Sequence, residues 1–479
     1  MGVKRIQSKE DLFTVINTRV LKKTIFIFFM FLSFVPLIIL IINIFIRFDI
    51  NNYDKTNFLL YSFDISAYNY TWYSIIQIVG NLCLVVAVLY MANIIYTKDQ
   101  KIVKRNFIVP SFIITLFVWS LLSAFFSGNT SLCFFGNYIR HEGILTYIAY
   151  LGFFFSAYFL NDKKYIQKYL SSFVIVAAIV VLPIAVSNKK FDSLLNLNVD
   201  VVNSIFNNGN HSGYYNCVFM MSCSVLFLIM DSHSAFLKYI YLFLFSYAVF
   251  TQLQNHSFGS YLGEGIGLVT LLLLTLVRRN FMVSSNDVYF KRSLLLLVVF
   301  IFFSISYTFY NPWLISDLSS FFPSLKNLIS GTVKEKNEVG SGRGQLILKA
   351  IQFVKERPLF GYGPDNLLDE YLKYGIHIDR VHCVPLNIAA SEGIPAAAFY
   401  LGALISMFIS FIKKLRNLDI LDIGLFSIGV AYFCSSLVGN SSYYVTPYFC
   451  IIFGLLAGRI ARKPLIKDLS RDKEEITLE

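Results

Sequence analysis

Charged residues are scarce in this sequence. Only 15% of its 479 residues are Asp, Glu, Lys or Arg, whereas ordinary soluble domains contain about 25%. Hydrophobic residues make up 56% of the chain, and they form runs of about 20 residues, the length that an α-helix needs to cross a bilayer. The composition therefore excludes a soluble globular protein and predicts an all-α polytopic membrane protein in a lipid bilayer.

Motifs for metal and nucleophile chemistry are also absent. The sequence has no His-x-x-x-His, Asp-x-Asp or Cys-x-x-Cys spacing and no G-x-S-x-G turn, so we expect neither a metal ion, a cofactor nor a serine nucleophile of that kind. The net charge of +12 does not indicate a nucleic-acid partner, because most basic residues lie in short loops between apolar runs.

The apolar runs predict twelve spans, which are residues 24–46, 73–96, 107–126, 143–160, 170–187, 211–230, 239–255, 258–277, 293–310, 386–412, 420–436 and 445–461. Every second connection between spans, beginning with the one that follows the first span at residue 47, lies on the same side of the membrane. The short connections of this set hold only five of the 41 Lys and Arg residues, namely Arg47, Lys55, Arg140, Lys189 and Lys190. Because cytoplasmic loops carry the excess of basic residues, we expect both termini in the cytoplasm of a multi-pass plasma-membrane protein.

This topology divides the chain into five parts. We expect a cytoplasmic tail at 1–23, nine membrane helices in 24–310, an extracytoplasmic loop domain at 311–385, three membrane helices in 386–461, and a cytoplasmic tail at 462–479. A loop of this length is usually functional or disordered.

A helix is predicted within the loop domain from Arg343 to Glu356. Ile347, Ala350, Ile351 and Val354 recur there at helical spacing, Ser341 or Gly342 could cap its start, and Pro358 and the "GYGP" turn (361–364) end it. Arg343 falls four residues before Ile347, on the apolar face. An inward arginine needs a partner or a ligand, although a first-turn arginine could equally reach solvent.

Polar side chains gather on the outward side of the predicted membrane. They include Arg140, Glu142, Asn210, His211, His256, Arg380, His382 and the stretch from Asn440 to Tyr443. Glu264 falls two turns inside the eighth span, where a carboxylate indicates either function or a structural partner. Arginines can clamp a pyrophosphate, and a neutral histidine can take a proton from a hydroxyl. We therefore expect a substrate vestibule here, with substrate-binding roles for Arg140, Glu142, Asn210, His211, His256, Glu264 and Arg380.

The order of motifs resembles the O-antigen ligase and O-antigen polymerase family of bacterial membrane proteins. That pattern has an Arg that opens an amphipathic helix, then P-L-x-G-x-G, then a loop ending in A-H-N, then G-I in a membrane helix. The matching residues here are Arg343, "PLFGYGP" (358–364), "VHC" (381–383) and "EGIP" (392–395). Four further stretches are similar to Gram-positive-type members, namely "FFGNYIRHEG", "SIFNNGNHSGYY", "NHSFGSYLG" and the final "GNSSYYVTPYFCIIFGLLAG".

The resemblance implies a twelve-helix fold of the glycosyltransferase C kind with a helical loop between spans 9 and 10. It implies metal-independent transfer of a glycan from an undecaprenyl-pyrophosphate donor to a glycan, lipid or wall-polymer acceptor. This reaction would belong to cell-surface polysaccharide biosynthesis and would take place at the outer face of the cytoplasmic membrane. His382 would be the general base, Arg343 would bind the pyrophosphate, and Arg140 would contact glycan or phosphate. The chain departs from the family pattern at Cys383, Pro385 and Phe258. Many members have an arginine at the position of Phe258, and Arg380, Lys349 or His256 could replace it here.

Two other functions fit the composition. A transporter or flippase for an amphiphile also has about twelve spans, but such proteins place their sites near the midplane and often repeat in halves. Here the polar groups lie at the rim and no half-repeat is visible. A non-catalytic membrane assembly protein is the third alternative.

Overall fold

The computed structural model of the protein describes residues 17–50, 58–96, 107–137, 140–185, 205–206, 208–230, 235–281, 288–319 and 343–462. All regular structure in these ranges is helical. The first nine helices are α1 (Thr18–Ile50), α2 (Phe58–Tyr96), α3 (Ile108–Phe126), α4 (Thr130–Phe135), α5 (Ile144–Phe159), α6 (Lys163–Val180), α7 (Leu182–Ala185), α8 (Gly209–Ile229) and α9 (Ala235–Asn255).

The remaining helices include those of the loop domain. They are α10 (Phe258–Phe281), α11 (Val288–Tyr310), α12 (Arg343–Glu356), α13 (Leu368–Leu372), α14 (Val384–Glu392), α15 (Ile394–Lys414), α16 (Ile420–Ser436) and α17 (Thr446–Arg462), with a 3₁₀ turn at Leu415–Asn417.

Eight of the described helices are long and apolar enough to cross a membrane. They are α1, α2, α3, α8, α9, α10, α11 and α15 with its following turn, and α5 and α16 are shorter apolar helices. The all-α polytopic membrane class is thereby confirmed. A helix lies at each of the twelve expected spans, while the number that cross the bilayer stays a prediction.

Helix α8 is the centre of the bundle. Its apolar window is 100% buried inside the protein, whereas the windows of the other seven candidate spans are only 22–39% buried. A helix that is covered on every side is a core element, and one with an open apolar face borders lipid. Helices α6, α9, α10 and α16 pack around α8, so polar residues at its start are held inside the protein.

The two ends of the bundle carry different polar groups. At one end, the Arg459 guanidinium contacts the carboxylates of Asp419 (2.7 Å) and Asp422, and the Lys22 ammonium lies 2.8 Å from Asp162. The opposite end, which we term the loop end, holds residues 136–137, 140–143, 376–383 and 437–445.

The loop domain has its own small core, and the helix expected at 343–356 is confirmed as α12. Its buried face differs from the expected one, because Leu346, Ala350 and Phe353 are buried while Ile351 is 39% exposed. The rings of Tyr362 and Tyr371 pack on Phe353 at 5.4 and 5.1 Å, which turns that residue inward. Ser341, Gly342 and the Arg343 side chain lie outside the described residues.

The expected tenth span, 386–412, consists of two helices. They are α14 and α15, and they are separated by Gly393. The turn 358–363 of "PLFGYGP" fills the break. The N–H groups of Tyr362 and Gly363 donate to the last carbonyls of α14, at Ala390 (3.3 Å) and Ser391 (2.6 Å), and the N–H of Ile394 donates to the Pro358 carbonyl at 2.8 Å. These bonds satisfy main-chain groups that a helix end leaves open.

The same turn is bound to α3. The indole N–H of Trp119 donates to the Leu359 carbonyl at 3.1 Å, and the Ser123 hydroxyl donates to the Phe360 carbonyl at 2.5 Å. The Phe360 ring stacks on both Trp119 (5.2 Å) and Phe126 (4.4 Å). Helix α14 and the loop that precedes it are therefore held at a defined position against the bundle.

Gly393 is expected to tolerate no side chain. Its φ of 92° and ψ of 165° lie in a region that only glycine occupies readily, at a cost of about 1–3 kcal/mol for other residues. A Cβ there would also lie 2.0 Å from the Leu359 carbonyl oxygen. We expect Gly393→Ala to lower the thermal unfolding temperature of the detergent-purified protein strongly.

Gly375→Ala is the matched control for this substitution. Gly375 also has a positive φ (69°), but a Cβ there would meet nothing within 4 Å, so only the backbone cost of about 1–2 kcal/mol applies. Equal losses from the two variants would show that the close approach at Gly393 does not matter.

Candidate functional site

Three loops and the start of α8 meet at the loop end. The loops are residues 136–143 before α5, residues 376–383 before α14, and residues 437–445 between α16 and α17. Two arginines and three carboxylates connect them, and most of these side chains are buried. We call this group the ion cluster, and its members are Arg140, Glu142, Asp365, Asp379 and Arg380.

Arg380 is the most deeply buried cation of the ion cluster. Its side chain is 4% exposed, with Nη2 lying 2.6 Å from Asp365 Oδ1 and Nη1 lying 3.0 Å from Glu142 Oε2. Nη1 also donates to the Ser441 hydroxyl at 3.2 Å, and that hydroxyl donates to Glu142 at 3.0 Å. Arg380 thus links all three loops. The nearby carboxylates raise its pKa against the effect of burial, so it stays charged.

Glu142 completes this arrangement from the other side. Its second carboxylate oxygen accepts a hydrogen bond of 2.5 Å from the Tyr150 hydroxyl. Burial raises the pKa of the Glu142 carboxyl, although Arg380 and Tyr150 lower it.

Asp365 lies directly after the "GYGP" turn and was not among the predicted site residues. One of its oxygens accepts from the main-chain N–H groups of Asn137 (2.7 Å) and Glu142 (3.1 Å), and the other binds Arg380. Asp365 therefore fixes the loop 136–143 to the loop domain. The sequence carried one signal for it, an acidic residue placed within a motif that is otherwise glycine and proline.

Arg140 forms a second ion pair close by. Its Nε and Nη2 contact both carboxylate oxygens of Asp379, at 2.6 and 3.1 Å. Although burial alone would raise the pKa of Asp379, Arg140 and Arg380 lower it to about 2. Arg140 Nη1 lies 3.3 Å from His211 Nε2.

The contact with Arg140 determines the tautomer of His211. A guanidinium can only donate, so Nε2 of His211 accepts, and the ring proton sits on Nδ1. That nitrogen lies 3.3 Å from the Phe206 carbonyl, which accepts its hydrogen bond. His211 is therefore a neutral imidazole whose lone pair faces Arg140.

His382 lies next to the ion cluster, two residues after Arg380. Its side chain is half-buried, and it is close enough to His211 for their charges to interact. Its main-chain N–H donates to Asn440 Oδ1 at 2.9 Å. His382 has a φ of 59°, in the left-handed region that residues with a Cβ seldom occupy.

Positive φ values recur around the site. The four non-glycine residues with positive φ in the described part of the chain are His141, His256, Asp365 and His382. Such backbone conformations are concentrated at functional sites because the surrounding structure must hold them. His141 was not predicted as a site residue. Its ring stacks on Tyr73 at 4.5 Å, and burial lowers its pKa against the nearby Asp365 carboxylate.

Some predicted site residues lie apart from the ion cluster. His256 stacks on Trp313 at 5.0 Å, and its Nε2 lies 3.3 Å from Asn311 and 3.4 Å from Tyr307. Glu264 is fully buried beside Asn216 of α8. Asn210, adjacent to His211, accepts a 3.3 Å hydrogen bond from Ser257. Their substrate-binding roles stay predictions.

Two further basic residues, Lys349 and Arg343, are predicted phosphate contacts. The Lys349 ammonium lies 3.6 Å from the centre of the Tyr374 ring and donates to Gln352. Arg343 is the first residue of α12. It precedes the buried positions 346, 350 and 353 by 3, 7 and 10 residues, so its Cα lies on the same face of the helix as theirs.

An apolar cavity of about 170 Å³ extends from the ion cluster into the bundle. Arg380 and Ser441 are among its lining residues, and side chains of α3, α5, α14, α15, α16 and α17 form its walls, among them Phe117, Leu151, Ala403 and Phe453. Glu392 is a carboxylate in this wall, where the hydroxyls of Tyr147 (2.9 Å) and Ser120 donate to it. A charged lining group and an apolar interior suit an amphiphilic ligand.

Comparison with known proteins identifies one family. Residues 240–401 match the family model described as O-antigen ligase, a range that includes Arg343, the "PLFGYGP" turn and His382. No curated protein matches the chain. Over these residues the match bears out the family expected from the order of the motifs.

Proposed function

We propose, on the premise that this multi-pass membrane protein belongs to the O-antigen ligase family, that it moves a glycan from undecaprenyl pyrophosphate to an acceptor hydroxyl. The family match supports glycan transfer of the ligase or polymerase type in polysaccharide biosynthesis. The observation that carries the finer proposal is the position of His382 two residues after Arg380, whose ion-paired side chain lines the apolar cavity.

In this proposal His382 is the general base. It takes the proton of the acceptor hydroxyl while the acceptor oxygen forms a bond to the anomeric carbon of the glycan. The bond from that carbon to the pyrophosphate breaks, and undecaprenyl pyrophosphate leaves with the electron pair. The imidazole of His211, which contacts the ion cluster, has its lone pair directed at Arg140, which favours His382.

Charge balance favours Arg343 as a donor ligand. The ion cluster holds two arginines and three carboxylates, so its formal charge is 2 − 3 = −1. A cluster of this sign does not attract a pyrophosphate by itself. Arg343 opens a helix of the same loop domain and adds a cation that can bind two phosphate oxygens in parallel. We assign the pyrophosphate to Arg343 and a glycan or phosphate contact to Arg140.

The apolar cavity then takes the lipid part of the substrate. Arg380 of the ion cluster lines the cavity, so a lipid in it would present a polar headgroup near Arg380 and the loop that carries His382. From the positive-inside pattern of the sequence we also propose that this site lies on the outer face of the membrane, with both termini cytoplasmic. Arginine and histidine perform the chemistry, and we propose that no metal ion takes part.

Transfer by the purified protein tests this function directly. In liposomes that contain a defined undecaprenyl-pyrophosphate oligosaccharide, an acceptor and a chelator, we expect a product whose mass is that of the acceptor plus the glycan less one water. Undecaprenyl pyrophosphate should appear in equal amount. Loss of activity in chelator that Mg²⁺ or Mn²⁺ restores would disprove metal independence.

The same liposomes separate the alternatives. Movement of the intact lipid donor across the bilayer without any glycan transfer would identify a flippase. Neither movement nor transfer, with a folded protein and each class of acceptor supplied, would favour a non-catalytic assembly role.

A further inference from the structure

The main chain of His382 is held in a conformation that its side chain disfavours. Its φ is 59°, and the Cβ of an L-residue makes the left-handed region unfavourable. A strained backbone persists only where neighbouring groups hold it in place. The groups that hold His382 therefore determine where its imidazole points.

Two asparagine side chains bind consecutive main-chain N–H groups at this position. Asn440 Oδ1 accepts from the N–H of His382 at 2.9 Å, and Asn387 Oδ1 accepts from the N–H of Val381 at 3.3 Å. Asn387 belongs to α14, whereas Asn440 lies between α16 and α17. The shorter bond reaches the strained residue itself, and it comes from an element other than the one that carries His382.

Asn440 is itself firmly placed. It is 6% exposed, and the next residue, Ser441, accepts from Arg380 and donates to Glu142. The N–H of Ser442 then donates to the Thr446 hydroxyl at 3.1 Å, at the start of α17. The segment 440–442 thus bonds both to the ion cluster and to α17. Asn440 therefore holds the main chain of His382 from a fixed position.

We propose that Asn440 is a positioning residue for His382. It binds no substrate. It holds the His382 main chain in the left-handed conformation and so directs the imidazole toward the acceptor hydroxyl. This inference rests on the proposed role of His382 as the base. Since small displacements of a catalytic group can cost large factors in rate, loss of this one hydrogen bond should be visible in the turnover number.

Three variants test the proposal in the liposome transfer assay. Asn440→Ala removes the acceptor, and we expect kcat to fall about 10- to 100-fold while KM for the lipid donor stays within about threefold. Asn440→Asp keeps the acceptor and should recover most of the rate. Asn366→Ala is the control, because Asn366 also bonds to a main-chain group of the loop domain, the Tyr362 carbonyl at 2.8 Å, but does not contact His382.

The pH profile gives a readout that a purely structural role would not affect. A carboxylate next to His382 stabilises the imidazolium. Because the base must be neutral, the acidic limb of the Asn440→Asp profile should move to higher pH. Thermal unfolding in detergent should show all three variants folded at the assay temperature.

Each outcome bears on one of the two proposals. Wild-type kcat in Asn440→Ala, with His382→Ala inactive, would overturn the positioning role and leave the proposed function intact. Transfer by His382→Ala at the wild-type rate would remove His382 as the base, and the positioning role of Asn440 with it, while glycan transfer itself would stand. Loss of activity in Asn440→Ala and Asn440→Asp alike, in proportion to the unfolded fraction, would make Asn440 structural and also overturn the positioning role.

Discussion

His382→Ala is expected to lower the rate of glycan transfer by about 10²- to 10⁴-fold, the range that a general base contributes. The variant loses the group that accepts the proton of the acceptor hydroxyl, while the ion cluster and the cavity keep their contacts. Donor binding should therefore survive, with KM changed little. Initial rates of product formation at saturating donor and acceptor measure the loss.

His377→Ala is the matched control for this substitution. His377 belongs to the same loop before α14, but it is exposed and takes no part in the site proposed here, so its removal should leave the rate within about twofold of wild type. An unchanged rate in His382→Ala, measured beside an unchanged control, would show that another group is the base.

Arg380→Ala is expected to have the largest effect on stability. The substitution leaves two buried carboxylates, on Glu142 and Asp365, without their counter-charge. Removal of one partner from a buried ion pair costs about 3–5 kcal/mol. Since Asp365 and Arg380 also hold the loop 136–143, we expect a large drop in the thermal unfolding temperature in detergent and complete loss of transfer activity.

A compensated variant separates charge from packing. Combining Arg380→Met with Glu142→Gln and Asp365→Asn removes the cation and both carboxylates while retaining most of the side-chain volume. The combined variant should be more stable than Arg380→Ala, because no unpaired charge remains buried. If it unfolds at the same low temperature, the ion pairs do not account for the role of Arg380.

The sequence predicted the fold class and the short-range features well. Apolar runs marked the membrane helices, the spacing of apolar residues marked α12, and the two-residue gap between the expected spans 239–255 and 258–277 marked the tight connection of α9 and α10. Each of these signals is local. Its physical basis, burial of an apolar face or the length of a turn, is contained within a few tens of neighbouring residues.

The sequence did not predict which charged residues form ion pairs with one another. Arg140, Glu142 and Arg380 are visible as polar residues near predicted membrane ends, but their partners depend on how distant helices pack. Asp365 has no periodicity that marks it, and the break at Gly393 depends on a turn more than 30 residues away in the chain. The buried face of α12 was misplaced for the same reason, since Tyr362 and Tyr371 select it.

The ion cluster also determines when the site can form during synthesis. The bond between Ser441 and Glu142 joins residues 299 positions apart, and the bond between Trp119 and Leu359 joins residues 240 apart. Until the last two helices have been inserted, the Glu142 carboxylate has not formed all its contacts with Arg380 and Ser441. Chains that stop before residue 441 are therefore expected to expose unpaired carboxylates at the membrane surface and to be degraded as incomplete products.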